Sequence, residues 1–258
     1  MTEHAASDTA PKPVGGETPW HPVTRSRSHE LVLDQIEEQI LAGTLHVGDR
    51  LPGERDLASH LQVSRSAVRE AIRGLEAQGV VRSAVGSGKD AGTVVSAMPS
   101  EALTRLLRLH VALANFPMLD VIDARVMLER FSATLAADNA GPEDLEAMRA
   151  ALDGMDRPGV GQETFNDLDT AFHVAIAEAS GNRLVADMTI ALRESMRRPI
   201  LQALHTLGSD WERVADQLRA DHLAICAAIE TGDGALAAER VDQHIRSAHA
   251  ALHFTSNA

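Results

Sequence analysis

The chain has no tyrosine, two tryptophans and five phenylalanines in 258 residues. With so few rings, the core falls to leucine, alanine, valine, isoleucine and methionine, which favours packed helices over a sheet sandwich. A single cysteine, Cys226, excludes an intrachain disulfide and points to a reducing compartment. No apolar run approaches the ~18 residues that a membrane-spanning helix needs. Residues 1–24 contain no apolar block of the kind a secretory signal carries, and their Pro, Gly and Thr content reads as a disordered tail. A cytoplasmic location is the expectation from these absences. Positive charge is scarce as well, with a net charge of −13. The shortage is uneven: residues 25–96 carry nine Lys and Arg against ten acids, whereas residues 97–258 carry fourteen Arg against twenty-four acids. Such a balance argues against a protein that organises DNA by charge alone. It leaves room for a local basic surface in front of an acidic body.

What is present is helical periodicity in two blocks. In the first, Leu31, Leu33, Ile36, Ile40 and Leu41 recur at helical spacing over 28–42, and Gly43 stops the helix. LHVGDRLPG is a turn-rich connector. A short helix over 54–60 is buried through Leu57 and Leu61. Ser64 caps a third helix running to Gln78, with Val68, Ile72 and Leu75 facing inward and Gly79 beyond its end. VVRSAV, GSGKDAG and TVVSA then read as strand, loop and strand, a β-hairpin wing. Three helices and a wing over 25–96 make a winged helix-turn-helix. Residues 97–100 read as a linker. From 101 to 258 the pattern is an all-α bundle of about seven helices, at 101–114, 118–139, 142–154, 162–180, 182–204, 210–231 and 234–254. The fold class is therefore mainly α.

The third helix carries Arg65 and Ser66 in its first turn and Arg69 one turn on, where side chains reach base edges in a major groove and arginine can bond guanine through two contacts. The Ser64 hydroxyl suits a phosphate oxygen, Arg55 points to the same surface, and Lys89 at the wing tip can reach the minor groove or the backbone. Any one of these is compatible with an ordinary solvated surface; together with a wing they point to double-stranded DNA. LPGERDLA followed by VSRSAVREAIRGLEAQGVV and a glycine-containing wing resembles the GntR family of bacterial transcription regulators. The resemblance implies operator contacts at Arg55, Arg65 and Arg69 and a glycine-rich wing tip at Gly86 to Gly88. Here KDAG separates Gly88 from Thr93, a longer loop than the common form.

A second constellation lies in the bundle. Asp169 and His173 are four residues apart on one helix and project from one face. His222 and His244 are each eleven residues from Asp233, the centre of the turn between the last two helices, so an antiparallel pair brings them to the same height. Three imidazoles and a carboxylate suit a divalent ion, Zn²⁺ or Ni²⁺ ahead of Mn²⁺. Hydrogen-bonded core histidines are the alternative, and His110, His205, His249 and His253 are assigned to that class. DLDTAFHVAIAEASGN and ADHLAICAAIETGDGALAAERVDQHI resemble the FCD effector domain of FadR-type GntR regulators. That resemblance implies a metal that helps hold a small organic acid, and an effector-pocket role for Arg125, whose alternative is a surface ion pair with Glu129. Asn182 is either an effector contact or a helix cap, and Cys226 either a neighbour of the site or a core thiol. The function implied is a homodimeric, ligand-responsive regulator, with repression relieved by a small carboxylate. The rival is a helical metal-dependent hydrolase or lyase with an accessory DNA head. It lacks a general base beside the ligands, because Glu178 falls on another face of its helix.

Overall fold

The computed structural model describes residues 28–84, 92–96 and 99–252. Its N-terminal unit is α1 (Ser28–Leu41), α2 (Glu54–Leu61), α3 (Arg65–Ala77), β1 (Val81–Ala84) and β2 (Gly92–Val95). Val68, Ile72 and Leu75 form the inward face of α3 and meet Val32 and Ile36 of α1 in a small core. The Ser64 side chain accepts the Ala67 amide, as an N-cap does, and Gly79 takes the left-handed conformation (φ 74°) that lets the chain leave α3 for the wing. The inward stripe of α1 differs from expectation. Leu31 and Leu41 are exposed, and Val32 takes the buried place. With apolar residues at 31, 32 and 33 in a row, periodicity alone leaves the face open by one position.

The wing strands pair antiparallel, with Val81 opposite Val95 and Ala84 opposite Gly92. The connector contributes more than a turn. Arg50 bridges to Val94, Leu51 donates its amide to the Thr93 carbonyl, and Val95 donates to Asp49. This second pairing ties the start of α2 to the wing. Gly86, Gly88 and Lys89, the sequence-predicted wing-tip residues, lie outside the described residues, as do the tail and His253.

The bundle comprises α4 (Pro99–Ala112), α5 (Met118–Asn139), α6 (Pro142–Met155), α7 (Gln162–Ala179), α8 (Arg183–Thr206), α9 (Trp211–Glu230) and α10 (Gly234–Ala251), with one 3₁₀ turn at Gly208–Asp210. Helix α4 starts at Pro99, two residues before the expected boundary. A proline is tolerated there because first-turn amides have no intrahelical partner. Helix α8 continues through Pro199 to Thr206. Helix α5 is the hub, packing against α7, α8, α9 and α10. Phe165, Phe172, Met148, Met196 and Ile225 are buried around it. Gly234 opens α10 against α5 so closely that a Cβ there would sit 2.9 Å from the Thr134 carbonyl oxygen. Helix α4 lies on α8, and Arg105 on α4 donates to the Ala77 carbonyl at the end of α3, joining the two units.

Candidate functional sites

Three helices deliver ligating side chains to one buried point. Helix α7 brings Asp169 and His173, spaced one turn apart. Helices α9 and α10 bring His222 and His244, held level by a turn in which the Asp233 side chain accepts the Leu236 amide and caps α10. The Nε2 atoms of His222 and His244 are 3.2 Å apart, and His222 Nε2 is 3.1 Å from Asp169 Oδ1. His173 Nε2 is 3.9 Å from the same oxygen. One ligating atom from each of the four residues lies within 4.8 Å of the others, and all four residues are buried. The sequence-predicted quartet is thus brought together.

The donor set fits a divalent cation. An ion bound at ~2.1 Å has neighbouring ligand atoms roughly 3.0–3.4 Å apart, close to the spacing seen around His222. His173 Nε2 is buried with no hydrogen-bond partner, although it points toward a carboxylate and two other imidazoles. Such an orphaned acceptor is costly unless something electropositive meets it. The outer ring atoms have carboxylate neighbours: His173 Nδ1 is 2.7 Å from Glu129 Oε2, and His244 Nδ1 is 3.5 Å from Asp221 Oδ2. A proton held on Nδ1 leaves the Nε2 lone pair facing the cluster.

Electrostatics favour the same protonation states. Burial, reinforced by the Arg193 charge, lowers the His173 pKa to about 3. Burial, with the neighbouring His244, lowers that of His222 to about 4. Both rings are therefore neutral at pH 7, the form that ligates metals. Burial pushes the Asp169 carboxyl up, but the Arg193 charge and the His222 contact outweigh it and hold the carboxyl well below its ordinary range. The Glu129 carboxyl is likewise held low against burial, by Arg125, His173 and Arg193.

Arg193 was not anticipated, and Glu129 was anticipated only as a surface partner of Arg125, not as a buried neighbour of His173. Arg193 of α8 is buried and contacts Asp169 Oδ2, with its Nη1 3.8 Å from Glu129 Oε1. Glu129 of α5 is buried between Arg125 and His173, with Arg125 Nε donating to its Oε1 at 2.9 Å. A signal existed in register. Arg193 continues the buried stripe Ala186, Thr189, Met196 and Ile200, and Glu129 continues Ile122, Arg125, Ser132 and Ala136. Arg125 therefore makes the ion pair with Glu129, and it also lines a cavity beside the cluster. This cavity has Arg125, Asn166, Asp169, Arg193 and His244 at its polar end and isoleucine and leucine side chains of α5, α8, α9 and α10 along its walls. Its space open to water-sized molecules is about 30 Å³, room for a few heavy atoms. Asn182 is not part of it: its side chain accepts the Val185 amide and caps α8. Cys226 is also apart, buried with Sγ 3.5 Å from Glu230 Oε1, and burial with the adjacent carboxylate pushes its thiol up to about 12. Glu178 is exposed.

On the head, Arg55, Ser64, Arg65, Ser66 and Arg69 are all exposed, near the starts of α2 and α3. Ser64 Oγ is 2.9 Å from Ser66 Oγ. Arg55 Nε is 3.4 Å from Asp56 Oδ1. Arg69 reaches back to Glu54, with Nη2 2.7 Å from Oε2.

The sequence profile of the bacterial regulatory proteins of the gntR family matches residues 29–89, and that of the FCD domain matches residues 120–247. The HTH-type transcriptional regulator LutR of Bacillus subtilis is 30% identical over 207 residues, which span 79% of this chain and 91% of that protein. The HTH-type transcriptional repressor NanR of Klebsiella aerogenes is 28% identical over 257 residues, 96% of this chain and 94% of its own. The Glc operon transcriptional activator of Escherichia coli is 28% identical over 183 residues, covering 69% and 70%. Among solved structures, Streptococcus agalactiae GntR shares the fold, with a TM-score of 0.57 and 23% identity over 85% of this chain and 97% of that one. The relatives are regulators and none is named as an enzyme, so the metal-dependent hydrolase or lyase alternative has no support among them. With the winged head, the helical body and these matches, the chain belongs to the GntR family of bacterial regulatory proteins: it is a DNA-binding transcription regulator that carries a C-terminal FCD domain.

Proposed function

We propose that the FCD domain holds a divalent metal at Asp169, His173, His222 and His244, and beside it a small carboxylate that modulates operator binding. The observation that carries this is the convergence of three imidazole nitrogens and a carboxylate on one buried point, with His173 Nε2 left unpartnered. Zn²⁺ or Ni²⁺ fits an imidazole-rich set better than Mn²⁺. A divalent ion held by Asp169, His173, His222 and His244 would supply positive charge to attract a carboxylate. The protein's own charges argue for the same partnership. The guanidinium charges of Arg125 and Arg193 cancel the carboxylates of Glu129 and Asp169, so an added cation leaves a buried excess that an anion must neutralise. Arg125, at the cavity wall, is placed to pair with that anion.

In the DNA head, Arg65, Ser66 and Arg69 read base edges, while Arg55 and the Ser64 hydroxyl take phosphates; Gly86, Gly88 and Lys89, outside the described residues, are proposed as further DNA contacts. A homodimer sets two such heads on a pseudo-palindromic operator, and the carboxylate shifts the balance between two arrangements of the heads. Repression relieved by the carboxylate is the proposed sign. A repressor and an activator both stand among the relatives, and a transcription assay decides between them. The test is a thermal-shift screen of small carboxylates on the full chain, with and without chelator, followed by operator binding with the best one. A carboxylate that raises Tm only before chelation, and that weakens operator binding, is the expected result. A Tm shift that survives chelation, or operator binding indifferent to the carboxylate, contradicts it.

A further inference from the structure

Arg69 does not extend freely from the recognition helix. Its Nε lies 3.2 Å from both Oε1 and Oε2 of Glu54, and its Nη2 lies 2.7 Å from Oε2. Glu54 opens α2 and Arg69 sits in the second turn of α3, so the pair spans the two helices of the reading head. Both side chains are partly exposed, 56% for Arg69 and 38% for Glu54, so the pair adds little to stability. Its consequence is geometric. A guanidinium bonded side-on through Nε–H and one Nη2–H keeps both Nη1 hydrogens and the second Nη2–H. Those form the end fork that matches O6 and N7 of guanine. An arginine already held in this way loses less rotamer freedom on docking than a free one.

Glu54 has no evident attraction of its own for DNA. A carboxylate facing phosphates is repelled, and this one is held in its ionised form chiefly by the Arg69 contact, with Arg73 and Arg65 adding their charges. A favourable interaction with the α2 helix dipole is the structural role open to it at that position. That role needs no partner fifteen residues away held by both carboxylate oxygens.

The geometry points to Glu54 as a specificity-determining positioning residue, which holds the Arg69 guanidinium side-on so that its end fork reads one guanine in the major groove. This rests on the proposal that Arg69 faces operator base edges. A head with almost no net charge then gains discrimination in place of general attraction for DNA.

The test uses the full chain and an operator selected from a random duplex library by the wild-type protein. Binding is measured at fixed salt to every single-base-pair variant of that operator. Arg69→Ala is expected to lower affinity about tenfold or more and to erase the preference at one G·C pair. Glu54→Ala is expected to erase the preference at that same pair and leave the others intact, with Glu54→Gln in between. The double variant is expected to be no worse than Arg69→Ala. Uniform weakening across all sequences with a lowered Tm assigns Glu54 a merely structural role and overturns the inference. Uniform tightening makes it an electrostatic brake and overturns it equally. If Arg69→Ala leaves binding unchanged, the assignment of Arg69 itself falls; if only the Glu54 variants do so, Arg69 stands and the positioning role alone is lost.

Discussion

Arg193 is the residue on which the buried site turns. It lies between Asp169 and Glu129 in a place where an unpaired charge is not tolerated. Arg193→Met leaves two buried carboxylates sharing Arg125, and is expected to destabilise the metal-free protein by about 3–5 kcal/mol. A divalent cation at the quartet would replace part of the lost charge. Added Zn²⁺ should therefore raise the Tm of the variant more than that of the wild type, measured by thermal unfolding with and without chelator. The histidines set a pH dependence whose sign follows from burial. His173 and His222 take up protons below about 3 and 4 when folded, against 6.5 when unfolded. Between these values the unfolded chain binds more protons, so stability rises with pH. The metal-free protein should be at full strength above about pH 6.5 and weaken as the pH falls towards 4. The Asp169 and Glu129 carboxyls, held low, lose their contribution only in stronger acid. Urea unfolding from pH 7 to pH 4 checks this, and a flat profile would count against neutral buried imidazoles.

At the scale of elements, what was legible in the sequence depended on how cleanly one face differs from the other. Helix α3 is buried on one side only, so Val68, Ile72 and Leu75 stood out, as did the Ser64 cap. Helix α5 is surrounded, and it also exposes Leu119, Met127 and Phe131, so apolar residues run around it without a clear stripe. The metal quartet was readable because it needs only helix spacing and the symmetry of the α9–α10 turn. Glu129 and Arg193 come from helices distant in sequence, and a charged residue in an apolar register reads as surface until the partner helix is known. The ladder of Arg50 and Leu51 to the wing was hidden for the same reason, since a bridge has no periodicity of its own. The close approach of α10 to α5 depends on Gly234. Gly234→Ala, harmless in an isolated helix, sets a Cβ 2.9 Å from the Thr134 carbonyl and is expected to cost about 1–3 kcal/mol of stability, read by denaturant unfolding.

At the scale of the molecule, the acidic bundle shows an exposed apolar strip among the described residues. Met127 and Phe131 of α5 and Leu184 and Met188 of α8 are exposed, on two helices that meet where Ser132 Oγ lies 3.2 Å from Thr189 Oγ1. Exposed apolar side chains grouped in this way mark an interaction surface more often than scattered ones do. A second copy is the partner that a two-fold operator requires. On the proposal that two copies pair through this strip, the wild type is expected to sediment as a dimer and Phe131→Glu as a monomer with weakened operator binding and unchanged helix content. A variant that remains dimeric would remove this strip from the interface. The acidity of the body suits the proposed arrangement, in which the bundle would face away from the phosphates and the nearly neutral head would make contact.

The most direct test is the metal content of full-length protein purified without a polyhistidine tag, compared with His173→Ala and His244→Ala. About one divalent ion per wild-type chain and close to none in either variant is the expected result. A wild-type content below a few tenths of an ion per chain, or one that His173→Ala leaves unchanged, would contradict the assignment of Asp169, His173, His222 and His244 as a metal site.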